Sequence, residues 1–207
     1  MLKTSPVAGL ATRKKGRNNR NVIGMKVPRY RSEDALTLTI AVLLVGVVAI
    51  GIISGKIAKC SGPDVGKRFL EVTPDYTADG LRNWVMRYPS QARRYAFPVL
   101  FPLDLLLLIT VVGFVAVASL ATARALHWTE GWLWIVIIFP VLYAVCDFIE
   151  NVFLTCFMVA ATTVTDTSVA IAQTVTGLKF ATLAISTLQL FTLLVSWLLG
   201  TLAHALC

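Results

Sequence analysis

Four long apolar stretches constrain this chain more than any other feature. They cover residues 35–55, 98–123, 132–161 and 168–202, and each reaches the roughly 20 residues that an α-helix needs to cross a bilayer. Lipid offers no hydrogen bonds, so a spanning segment must satisfy its backbone internally, and runs of this kind fold as helices. The expected fold class is all-α: an integral membrane four-helix bundle with a short interfacial amphipathic helix between spans one and two. Composition agrees, since 57% of the 207 residues are hydrophobic and only 14% are charged. That is too little charge to cover a water-soluble domain.

Residues 1–34 form a basic N-terminal arm. It holds nine of the 19 Lys and Arg residues, from Lys3 to Arg31, and no acid before Glu33. Without an apolar period it has nothing from which to build a core. Its expected partners are anionic lipids or another protein, with a targeting peptide as a third reading. No nucleic-acid partner is expected. A cleaved secretory signal is not expected either, because the first apolar run begins only at Ala35 and no A-x-A-like site follows it. Basic residues flanking the first span place the N-terminus on the cytoplasmic side, and four crossings return the C-terminus there. The eight Lys and Arg residues of the 56–97 loop weaken that asymmetry. The expected location is a bacterial inner membrane, and the acid-poor arm keeps the mitochondrial inner membrane as the alternative.

Within the first span, Gly51-x-x-x-Gly55, with Gly46 above it, allows another helix to approach closely. In the extracytoplasmic loop, Thr77 is placed to cap a helix that starts at Ala78. Leu81, Trp84, Val85 and Tyr88 then share one side, and the arginines turn towards headgroups. Pro98 and Pro102 fall in the first turns of the second span, where proline is best tolerated. Cys60, Cys146, Cys156 and Cys207 lack metal-ligand spacing, so neither a disulfide nor a zinc site is expected. His127 and His204 lie near span ends and are candidate ligands for a haem or chlorophyll-type pigment, although interfacial anchoring is the commoner role. Bound lipids are expected; no other cofactor is.

Charged side chains inside the spans carry the most information. Each costs at least ~2.5–3.5 kcal/mol at a helix centre, so such groups face the bundle and seek partners. They are Asp104 in the second span, Asp147 and Glu150 beside Asn151 in the third, and Lys179 in the fourth. Asp147 and Glu150, at i and i+3, project from one helix face. Glu150 lies as many residues before the turn between spans three and four as Lys179 lies after it. Both therefore sit roughly 16 Å below one surface, while Asp104 enters from that side at roughly 9 Å. Asp104 has Lys179, Asn151, Arg93 and Arg94 as potential partners. Thr182, Ser186 and Gln189 continue a polar stripe from Lys179. Two readings of the cluster follow: a hydrogen-bonded network that fixes helix order, or a site for a proton, a cation or a lipid-like substrate.

Arg94-Tyr95, Phe101-Pro102-Leu103-Asp104, Asp147-x-x-Glu150-Asn151 and a lysine in the last span together resemble a widespread family of uncharacterised bacterial four-span membrane proteins. The resemblance covers roughly residues 36–200 and implies the architecture and the polar cluster, with no activity attached. Two functional classes are expected: a non-catalytic subunit packed against other integral membrane subunits, or a small transporter or lipid-active enzyme using Asp147, Glu150 and Lys179.

Overall fold

The computed structural model describes residues 30–61 and 75–206, apart from the side chains of 30–35, 61, 204 and 206. Most of the basic arm therefore lies outside the described residues. The described elements are helical: α1 (Tyr30–Ser61), α2 (Ala78–Arg87), α3 (Pro89–Arg94), a kinked segment (Tyr95–Asp104), α4 (Leu105–Ala125), α5 (Glu130–Leu133), α6 (Ile135–Val159), a 3-10 turn (Ala161–Thr163) and α7 (Asp166–Leu206). Leu36–Cys60, Pro89–Ala125, Glu130–Val159 and Asp166–Ala203 are long and apolar enough to cross a membrane. The fold is an all-α four-helix bundle. At 41 residues, α7 is about 60 Å long, more than the ~40–45 Å of a whole bilayer, so it tilts or projects.

The second span departs from the sequence expectation in a way that proline explains. Phe97 (φ −134°, ψ 117°) and Phe101 (φ −141°, ψ 114°) are extended, and regular helix begins only at Leu105. A residue that precedes proline is driven out of the helical region by clash with the ring. Two such steps, Phe97-Pro98 and Phe101-Pro102, break the chain twice, so these prolines do not sit in helical first turns. Asp104 is left at the very start of α4.

The end of the bundle near α2 is the best packed. Leu81, Trp84 and Val85 bury the apolar face of α2 against Tyr95, Val99 and Leu100, with Leu154, Phe157 and Met158 from α6 and Val169 from α7. Thr77 caps α2, its Oγ1 accepting from the Gly80 N–H at 3.2 Å. Arg82 corrects the expectation that the arginines face headgroups. Its guanidinium turns inward, and Nε donates to the Val164 carbonyl at 3.2 Å. That carbonyl, in the turn between α6 and α7, otherwise lacks a helical donor, and a buried acceptor needs one. Ser168 and Thr165 close the same turn reciprocally, Ser168 N to Thr165 Oγ1 at 3.1 Å and Thr165 N to Ser168 Oγ at 2.9 Å. This is a capping box with serine in the acidic position.

Helix α1 is attached differently. No residue from Leu36 to Ile53 is buried. It meets α4 through reciprocal glycines: a Cβ on Gly46 would lie 3.3 Å from Thr110, and one on Gly113 would lie 3.4 Å from Leu43. Each glycine admits a side chain of the other helix, as small residues do between membrane helices.

Candidate functional site: a buried ionic cluster

Asp147, Glu150 and Asn151 lie on one face of α6 and are buried to 3%, 0% and 4% exposure. The i, i+3, i+4 spacing puts them there. Lys179 and Thr176 answer from α7, also buried. Lys179 Nζ lies 2.7 Å from Asp147 Oδ1 and also donates to Glu150 Oε2. The other oxygen of Glu150 accepts from the Thr176 hydroxyl. Asn151 Nδ2 donates to Asp104 Oδ2 at 2.5 Å and lies 3.4 Å from Asp147 Oδ2. A continuous polar chain therefore runs from Thr176 through Glu150, Lys179, Asp147 and Asn151 to Asp104, joining α7 to α6 and α6 to the start of α4.

The structure thus brings together Asp104, Asp147, Glu150, Asn151 and Lys179. Of the partners open to Asp104 it selects Asn151, while Arg93 and Arg94 are exposed. Asp104 immediately precedes α4, where the helix dipole favours a carboxylate, but its side chain makes no capping hydrogen bond to that helix. Three carboxylates share one lysine, so full ionisation would leave two negative charges uncompensated, and the low dielectric of the interior penalises that excess.

Sequence reasoning missed Thr176, Gln173 and Tyr143, although helical spacing held the signal. Thr176 lies three residues before Lys179, and Gln173 three before that, so the stripe of Thr182, Ser186 and Gln189 extends two steps in the other direction. Tyr143 lies one turn before Asp147 and is buried. The two glutamines bond neighbouring segments, Gln173 Nε2 to the Tyr76 carbonyl at 2.8 Å and Gln189 Nε2 to the Val136 carbonyl at 3.0 Å. Thr182 and Ser186 donate instead to their own helix, at 2.8 and 2.7 Å. Tyr76, in the loop before α2, is pushed up to about 12 by burial first and by the charge of Glu150 second.

The remaining candidates lie apart from the cluster. Gly46 packs on Thr110, but among the described residues a Cβ on Gly51 or Gly55 would meet nothing within 4 Å. His127 occupies a left-handed turn (φ 58°) after α4 and lines a recess with Arg124 and Trp134. The side chain of His204 lies outside the described residues, as does Cys207; Cys60, Cys146 and Cys156 are free thiols. Among the described residues no group of three or more His, Cys, Asp or Glu side chains is placed to hold a metal ion. Compared with protein-family models, curated proteins and solved structures, the chain gives no match.

Proposed function

We propose that this protein is a non-catalytic subunit of a larger membrane assembly, docked through the free face of α1 and through its basic arm, the latter on a partner or on anionic lipid. The observation that carries this reading is the bare pair Gly51 and Gly55, with nothing among the described residues within 4 Å of either added Cβ. They lie on a helix that is attached to its own bundle along one side only. Small residues one turn apart let a second helix approach to backbone contact. The ionic cluster supports the same reading, because Lys179 is already engaged by both Asp147 and Glu150. It joins helices, which is what a scaffold requires. The Asp147-x-x-Glu150-Asn151 pattern further suggests membership of the uncharacterised bacterial four-span family, in an inner membrane with both termini cytoplasmic.

Mild-detergent purification tests the proposal. The wild-type chain is expected to elute in an assembly larger than itself, and Gly51→Ile with Gly55→Ile to release it as a folded single chain. Elution of the wild type alone, or retention of the assembly by the double variant, contradicts it. A second reading, a small transporter or lipid-active enzyme, is favoured by Asp104, a third carboxylate that is only half-buried. That reading requires Glu150→Gln to abolish an activity of the isolated protein while its fold survives.

A further inference from the structure

Beside the cluster, between the kinked segment and α6, runs a groove of about 280 Å³, at the small end of the ~300–1,000 Å³ usual for small-molecule sites. Phe97, Phe101 and Phe148 line it, and all three are exposed on the lipid-facing surface, as is Val152. The wall is apolar apart from Asn151, Thr155 and the Cys156 thiol. Asn151 and Thr155 are one helical turn apart on α6, and they supply two buried polar atoms without hydrogen-bond partners among the described residues, Asn151 Oδ1 and Thr155 Oγ1.

The direction of the Asn151 amide is fixed. Its nitrogen faces the carboxylates of Asp104 and Asp147, which accept and cannot donate when ionised. Its oxygen is therefore held as an acceptor, and a buried acceptor left unpaired is costly. A ligand that satisfies it must donate. Charge narrows the class further. An anion meets the excess of carboxylate behind Asn151, and an ammonium group would lose its hydration against an apolar wall. A neutral hydroxyl avoids both penalties. Three phenyl rings favour a flat ring as the apolar body, through offset and edge-to-face contacts. Asn151 Oδ1 is closed off in this structure, so a ligand reaches it only if the groove opens; the exposed rings that line the groove can change rotamer within picoseconds to nanoseconds.

We propose that this groove binds a neutral, membrane-soluble ring alcohol of the phenol or quinol class, with its hydroxyl donating to Asn151 Oδ1 and its ring between Phe97, Phe101 and Phe148. The Thr155 hydroxyl, which can donate or accept, serves a second oxygen on the ligand. The site does not rest on the subunit reading, since no residue of α1 lines it.

A benzoquinol with a decyl chain and the corresponding quinone test the proposal, because the two differ in whether the ring oxygen donates. Each is titrated into the full chain in lipid nanodiscs, against nanodiscs without protein. The quinol is expected to saturate at one per chain and to bind at least tenfold more tightly than the quinone, which meets Asn151 Oδ1 acceptor to acceptor. Val152→Trp, at a lipid-exposed position, is expected to fill the groove and weaken the quinol at least tenfold. Equal binding of the two forms, no saturable binding above the protein-free control, or quinol affinity unchanged in a folded Val152→Trp protein would overturn the proposal. The comparison of quinol with quinone on the wild-type chain decides the matter even where the variant fails to fold.

Discussion

At the scale of single residues, the cluster is asymmetric and its substitutions should rank accordingly. Among the described residues, Lys179 is the one cation holding both Asp147 and Glu150. Lys179→Met leaves two buried carboxylates unpaired and should cost about 3–5 kcal/mol, the usual result of removing one member of a buried pair. Glu150→Gln keeps an acceptor for Thr176 and leaves Lys179 with Asp147, so about 1–3 kcal/mol is expected. Asp104→Asn removes part of the surplus negative charge and should cost least. Thermal unfolding in one detergent checks the order. Tyr76 gives a different prediction, because its buried hydroxyl has no partner among the described residues: Tyr76→Phe should be neutral or stabilising. The hydroxyl ionises near 10 in an unfolded chain and at about 12 when folded. The unfolded state therefore releases its proton first as pH rises, and wild-type stability should fall between about pH 10 and 12. Comparison of unfolding midpoints across that window should show a smaller fall in Tyr76→Phe.

At the scale of elements, α2 is fastened by its Thr77 cap, its apolar face and Arg82. Thr77→Ala should cost about 1 kcal/mol, the usual value of an N-cap. Arg82→Ala should loosen α2 from the turn between α6 and α7, seen as faster amide exchange in 78–87 with the exchange of α6 unchanged. The apolar side of α2 was legible because Leu81, Trp84 and Val85 recur at helical spacing. The inward turn of Arg82 was not, since its acceptor is a backbone carbonyl 82 residues away and no local pattern encodes it. In the second span, the prolines were visible but their consequence was not. Proline within a first helical turn and proline that forces its predecessor into extended backbone look alike in sequence. They differ only in the conformation that Phe97 and Phe101 adopt.

At the scale of the molecule, four apolar runs sufficed for the fold because lipid leaves a long apolar segment few alternatives to a helix. The pairing of Glu150 with Lys179 was also legible, since a short turn fixes the register of two antiparallel helices and the rise per residue does the rest. The choice of Asn151 by Asp104 was not legible, because it depends on where the broken start of α4 meets α6. If the proposed orientation is right, Cys60, at the end of α1 opposite the basic arm, should react with a membrane-impermeant maleimide added to the outer face. The bundle as a whole rests on the junction of α6 and α7, where the ionic cluster joins the two helices. A double-mutant cycle over Lys179→Met and Glu150→Gln, read as unfolding free energy in a single detergent, measures that junction directly. If the cluster clamps the bundle, the two substitutions will be non-additive, with a coupling of about 1–3 kcal/mol. Single variants as stable as the wild type, with no coupling between them, would contradict a clamp.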